Sequence, residues 1–327
     1  MMKKMKKKIK YLYLAPKWLF QFGISVIIYL YYSYKYKNVD YFAYKTLANP
    51  SFKEPKFFNA VCHYGTYKAI TELTGRRFNF ITDYVEHSVN FMTEPESLKL
   101  IGYYNRKTIR RIYVMSDLLV SVYNQCIQQE KLKSKTIAVG PYINGVTHFK
   151  SEKELTAIKQ KYGRILLVFP QHSIENIKSE YDKEDFIATI KEYKEKYKFD
   201  TIFVCLYWAD IVDQVHEIYE KNGFVVVTSG HRSDPNFLRR HKDLLYLADH
   251  TMSNHIGGYV GYSVVMGKPH FMYNQTTKYV DNQNEKLTHS HSFESAKVKS
   301  KQIFGSFTTE ITQEQKEFVE LYWGKWG

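Results

Sequence analysis

The stretch Leu247-Ala248-Asp249-His250-Thr251-Met252-Ser253-Asn254-His255-Ile256-Gly257-Gly258-Tyr259 has the residue types of an anion cradle. It reads as a short strand, a turn of small residues and a helix entered through glycines, with another strand opening after Gly267-Lys268-Pro269. Ser253 or Asn254 would cap the helix, and Gly257 and Gly258 would let a ligand approach the backbone. The first N–H groups of a helix lack acceptors of their own, and its dipole places partial positive charge there. Such a site holds a phosphate.

Other candidates follow apolar runs. His172 and Ser173 come directly after Leu166-Leu167-Val168-Phe169-Pro170-Gln171, and His231 and Arg232 after Thr228-Ser229-Gly230. Strand ends of a parallel sheet are where ligands bind. Arg232 has the fork geometry to pair with phosphate oxygens, whereas a capping interaction with Asp234 explains His231 equally well. A third cluster, Asp83-Tyr84-Val85-Glu86-His87-Ser88, is expected as a turn after a strand over Phe78 to Thr82. It puts three proton acceptors within five positions. Glu86 and His87 are preferred over Asp83 as a general base, although a polar turn with an ion-paired carboxylate is as good a reading of any one of them.

Metal chemistry finds little support. There is no Asp-x-Asp triplet and no Cys-x-x-Cys pair, and His289-Ser290-His291 falls in a polar stretch that reads as loop. Asp182-Lys183-Glu184-Asp185 reads as a helix start. No metal and no cofactor is expected.

The elements that must position these groups alternate along the chain. In the first half, strands are expected at Phe57 to Cys62, Phe78 to Thr82, Ile109 to Met115 and Thr136 to Val139, with helices at Tyr67 to Leu73 and Asp117 to Gln128. Gly140-Pro141 is a natural hinge. In the second half, strands are expected at Ile165 to Phe169, Thr201 to Trp208, Phe224 to Thr228, His250 to Met252 and His270 to Tyr273. Helices are expected at Phe186 to Tyr197, Ile211 to Lys221 and Phe237 to Leu247, and a final one at Thr312 to Trp323. Strands that are apolar throughout, separated by helices, indicate parallel sheets covered on both faces. The fold class is therefore α/β, with two facing Rossmann-like domains. The divisions are residues 1–35, a basic and aromatic membrane-associating segment; 36–140, a first domain; 141–275, a second; and 276–327, a tail whose helix returns to the first.

With 327 residues the chain is long enough for two cores, and 29 tyrosines argue against disorder. The net charge of +14 implies a polyanionic partner. Cys62, Cys126 and Cys205 are far apart in apolar contexts, as reduced core cysteines are. Residues 1–10 hold six lysines, and Trp18 to Tyr34 carries no charge. No small-residue cleavage site follows. Lysine is drawn to anionic lipid and Tyr and Trp to the headgroup zone, so the segment reads as an interfacial anchor on the cytoplasmic leaflet ahead of a true span.

On four segments the second half resembles the donor domain of GT-B glycosyltransferases, especially bacterial enzymes of capsule, lipopolysaccharide and other surface glycans. They are Leu166 to Ser173, Thr228 to Leu238, Asp249 to Tyr259, and Gly267-Lys268-Pro269. The resemblance covers residues 136–275 and extends to the first half only in plan. It departs from bacterial sialyltransferases, which have a His-Pro pair where this chain has His172-Ser173. The resemblance implies a nucleotide-sugar donor in an interdomain cleft, held without metal by His172, Ser173, His231, Arg232, Ser253, Asn254, Gly257 and Gly258. Asp83, Glu86 or His87 would take the proton of a glycan or lipid-linked acceptor. Sugar-nucleotide 2-epimerases share the Ser-Asn…Gly-Gly and Gly-Lys-Pro pattern, but an anchor has no purpose on a soluble substrate. A non-catalytic basic binder of anionic glycan or nucleic acid is the other alternative; no nucleic-acid-binding motif is present.

Overall fold

A computed structural model of the chain describes residues 23–24, 27, 30–48, 60–79, 82–86, 89, 91, 108–173, 177–281 and 291–326. The first half contributes α1 (Tyr44–Ala48), α2 (Thr66–Thr74), β1 (Asp83–Val85), β2 (Arg111–Val114), α3 (Asp117–Gln129) and β3 (Lys135–Ala138). The three strands form a parallel sheet in the order β1-β2-β3. Ser116 caps α3 by accepting the Leu119 N–H, the role its short hydroxyl suits.

The second half runs α4 (Glu152–Tyr162), β4 (Ile165–Phe169), β5 (Ile177–Glu180), α5 (Lys183–Tyr197), β6 (Thr201–Cys205), α6 (Trp208–Val212), α7 (His216–Lys221), β7 (Val225–Val227), α8 (Phe237–Leu247), β8 (His250–Ser253), α9 (Gly258–Val265), β9 (His270–Met272) and β10 (Lys278–Asp281). Five of these strands make a separate, all-parallel sheet in the order β7-β6-β4-β8-β9. In chain order that is 3-2-1-4-5, the Rossmann arrangement. Side chains of a strand alternate between faces, and β4 divides accordingly. Ile165, Leu167 and Phe169 join a core shared with Val85, Ile112 and Trp323 across the two halves, while Leu166 and Val168 join a second core with Phe186 and Ile190 of α5.

Several expectations are corrected. The residues expected to turn after a strand at Phe78 to Thr82 are themselves β1, because Tyr84 and Val85 are apolar enough to be buried in the core beside β2. Helix Ile211 to Lys221 is two short helices, broken at Gln214, whose φ is 61°. β5 and β10, an antiparallel pair, went unforeseen because neither has an apolar run. The strand expected at Phe57 to Cys62 lies largely outside the described residues, as do residues 1–22.

The largest correction concerns residues 36–48, expected in the first domain. They pack on the second sheet. Phe42 stacks with Tyr162 and meets Phe203 edge-on, α1 lies on α6, and the Thr228 N–H donates to Tyr41 O. Arg240 clamps this segment from within. Its Nε and Nη2 donate to Val39 O (2.9 Å) and Tyr36 O (2.8 Å), and Nη1 pairs with Asp234 at 2.6 Å, both side chains fully buried. Residues 30–35 are helical, and Tyr32 is buried and stacked on Tyr36. No helix among the described residues is long and apolar enough to cross a membrane.

The tail forms α10 (His291–Phe304) and α11 (Gln313–Trp323). Thr312 and Gln315 close a capping box at the start of α11, which lies against α3, α9 and α10. Trp323 is fully buried, donates to Gly258 O at 3.2 Å, and presses on Gly261, where a Cβ would fall 2.2 Å from its ring.

Candidate functional site

A cavity of about 140 Å³ opens at the carboxyl ends of β4, β6 and β7 and beyond β8. The chain leaves β4 toward β6 on one side, whereas β8 lies on the other, so the loops after β4 and β8 part here. This is the switch point at which open α/β sheets bind ligands. The loop after β4 supplies Pro170, Gln171 and His172; that after β8 supplies His255, Ile256, Gly257 and Gly258; Cys205, Tyr207 and Ser229 follow β6 and β7. Tyr64 and Thr66 close the cavity from the first half. Tyr64 has φ 61°, an uncommon conformation for a bulky side chain. It is held by its N–H donating to Arg232 O and by its ring on Phe237, centroids 4.6 Å apart.

The walls are aromatic. Phe169 and Tyr259 stack at 4.8 Å with only 3° between planes, and His172 leans on Tyr207 at 4.5 Å. Among the described residues, no Lys, Arg, Asp or Glu lines the cavity. His241, surrounded by Phe169, Phe237 and Tyr262, has its imidazole pushed down by burial to about 4, so it is neutral near pH 7. Its Nδ1 lies 3.0 Å from Ser229 Oγ. Behind His172, Asp210 accepts the Ser173 N–H; burial raises its carboxyl pKa and the neighbouring His172 opposes that rise.

Of the residues singled out in the sequence, His172, Gly257 and Gly258 line the cavity. α9 begins at Gly258 with Gly257 as its N-cap in extended backbone, and no side chain caps it. Ser253 and Asn254, expected as caps, lie five and four residues ahead of Gly258, too far upstream. Ser253 Oγ donates to His255 O, and Asn254 accepts the Gln171 N–H and donates to Gln275 Oε1. Both are buried and hold the two diverging loops in place. Ser173 also turns away; its Oγ accepts the Ser179 N–H of β5.

His231 is packed between Trp208 and Tyr32 and accepts the Ser233 N–H on Nδ1, so the structural reading of it prevails. Arg232 is half-buried and off the cavity wall, its carbonyl holding Tyr64. Asp83 is buried in the first sheet, where it accepts from Arg111 Nε at 2.8 Å and from the Asn79 N–H. Glu86 is buried under the Tyr123 hydroxyl, which donates to it. Neither carboxylate lines the cavity, and His87 lies outside the described residues. Among the described residues no three His, Cys, Asp or Glu side chains converge as a metal site would require.

Gln171, Ser229, His241 and Tyr259 were not chosen from sequence. Ser229 and Gln171 lay inside quoted segments, one residue or two from the ones selected. His241 sits mid-helix with nothing local to mark it.

No protein-family model and no curated protein matches the sequence. Among solved structures, HepE of Anabaena in complex with UDP is similar at 14% identity, over 79% of this chain and 72% of that one, with a TM-score of 0.35. The same protein in complex with UDP-glucose gives 13% identity over 78% and 71%, also at 0.35. α,α-Trehalose 6-phosphate synthase from Burkholderia multivorans gives 9% identity over 59% of this chain and 51% of that one, at 0.34. Likenesses this slight assign neither a family nor an activity, and the functional reading rests on the cavity itself.

Proposed function

We propose that the chain is a glycosyltransferase that moves a sugar from a nucleotide-sugar donor to a membrane-associated glycan or lipid-linked acceptor, with no metal and no further cofactor. The observation that carries this reading is the uncapped N-terminus of α9, opening through Gly257 and Gly258 onto an aromatic cavity at the switch point. The helix N-terminus would receive the donor phosphate on its backbone N–H groups, since none of the described lining residues is cationic. The uncharged part of the donor would occupy the cavity.

With Asp83 and Glu86 held by internal partners, His172 is the proton acceptor proposed among the histidines of the cavity wall, beside His241 and His255. In a single displacement it takes the acceptor hydroxyl's proton, the oxygen bonds to the anomeric carbon, and the bond from that carbon to phosphate breaks with its electron pair leaving on the nucleotide.

Gly257→Val tests the donor site. A Cβ there would stand 2.7 Å from the Tyr259 ring, so the ring or the helix start must shift. Nucleoside diphosphate affinity should fall at least tenfold by calorimetry while far-ultraviolet circular dichroism is retained. A folded variant with parental affinity would refute the site. Interconversion of the free donor without acceptor would make the protein an epimerase instead.

The same reading places the protein on the cytoplasmic face of the cell membrane. Ile27, Leu30, Tyr31 and Tyr34 are each at least 40% exposed and recur at helical spacing on one face of the helical residues 30–35 and Ile27 before them. The opposite face, through Tyr32, is seated in the protein. An apolar stripe beside a lysine-rich terminus fits the surface of an anionic bilayer. Replacing Ile27 and Leu30 together by Glu should lower co-sedimentation with phosphatidylserine vesicles at least tenfold. Equal sedimentation of the parent and the double variant would exclude the stripe as the docking face.

A further inference from the structure

The loop leaving β4 carries an anomaly. Gln171 is 2% exposed on the cavity wall, and among the described residues neither its carboxamide oxygen nor its nitrogen has a hydrogen-bond partner. Its backbone is secured separately by the N–H to Asn254 Oδ1. The Tyr279 hydroxyl approaches the carboxamide closely enough for a hydrogen bond to Gln171 to oppose the burial that raises the tyrosine's pKa, but the contact lacks the geometry that would satisfy either amide atom. Both halves of a buried amide left unpaired destabilise a fold, so a group in that state usually has a partner that arrives with a ligand.

The surroundings define that partner. A cavity of about 140 Å³ matches the roughly 150 Å³ known to enclose one six-membered ring. Its faces are Phe169, Tyr259, Tyr64 and Phe237, which suit a flat ring, and among the described residues no charged side chain lines it. His241 is fixed through Nδ1 by Ser229, and among the described residues Nε2 has no such partner, so it remains for a ligand. A carboxamide offers a donor and an acceptor side by side, which pairs with an adjacent acceptor and donor on one edge of a ring.

We propose that the cavity is a nucleobase subsite, in which Gln171 reads the donor–acceptor edge of a single-ring, pyrimidine base held between the aromatic walls. This rests on the nucleotide-sugar reading and extends it to the class of nucleotide.

The test uses the full chain and four probes: uridine, cytidine, adenosine and inorganic pyrophosphate. Calorimetry should show a pyrimidine nucleoside binding at least tenfold more tightly than adenosine. Gln171→Met should raise the melting temperature, since it removes an unpaired buried amide, and yet weaken pyrimidine binding at least tenfold. Pyrophosphate binding should be unchanged. Gln171→Asn, which withdraws the same group by one methylene, should weaken the nucleoside too, and it serves if the Met variant does not fold. Parental nucleoside affinity in a folded Gln171 variant, or adenosine binding as tight as the pyrimidines, overturns the inference. The two readings fail differently. Pyrimidine binding that depends on Gln171 with no sugar transfer to any acceptor would uphold the subsite and defeat the transferase; sugar transfer with Gln171→Met at parental donor affinity would do the reverse.

Discussion

Arg240→Met is expected to cost the folded state about 3–5 kcal/mol, the usual penalty for removing one partner of a fully buried ion pair. Arg240 and Asp234 are both wholly buried, and the guanidinium also donates to Val39 O, Tyr36 O and Ser229 O. Without it, Asp234 keeps a carboxylate in an environment whose burial already raises its pKa against the opposing pull of Arg240. The carboxyl should then take up a proton, and the two carbonyls near residues 36–39 lose their donor. Urea midpoints of the parent, the single variant and Arg240→Met with Asp234→Leu would measure this. The double variant should recover a large part of the loss, because it removes the stranded acid. A single-variant loss under about 1 kcal/mol would show that the pair is not buried as described.

Trp323→Ala carries the second large effect, again about 3–5 kcal/mol, from lost transfer energy and the void it leaves. Trp323 fills the space over Gly261, beside the start of α9, and sits in the core common to both sheets. Gly261→Ala should be destabilising on its own, since the added Cβ would fall 2.2 Å from the indole. In the Trp323→Ala background the same change should cost little, so the two would be strongly non-additive. Thermal unfolding of the four proteins gives the coupling directly. Simple additivity would mean that the indole and Gly261 do not meet.

The parallel sheet over residues 165–272 was legible because its strands are continuous apolar runs such as Ile165 to Phe169, and nothing but a doubly covered strand accounts for five buried side chains in a row. Helix α8 was read to the residue, from Asp234-Pro235 ahead of it. The cap at Asp182 was also plain, since its side chain accepts the Asp185 N–H as an N-cap should. By contrast, β5 and β10 are polar ribbons whose pairing depends on a partner about 100 residues away.

In the site, the glycines before α9 were readable because backbone access is a property of residue type. The polar side chains were not. Ser253, Asn254, His231 and Asp83 have the chemistry to bind a ligand, and the fold spends it on internal hydrogen bonds. His241 becomes a wall residue only when α8 is laid beside β4 and meets Ser229 in the loop after β7. Local spacing cannot convey which way a buried polar group faces.

The clamp on residues 36–39 also sets an order of events during synthesis. Its hydrogen bonds join residues 201 and 204 positions apart, so the helical stretch before it has no seat in the protein until Arg240 has left the ribosome. At about 5–20 residues per second that interval is on the order of 10–40 s. Through it, the lysine-rich terminus and the tyrosines that later become buried are all presented to the surroundings at once. A nascent chain of this design completes that seat late, and Arg240 is the residue that ends the wait.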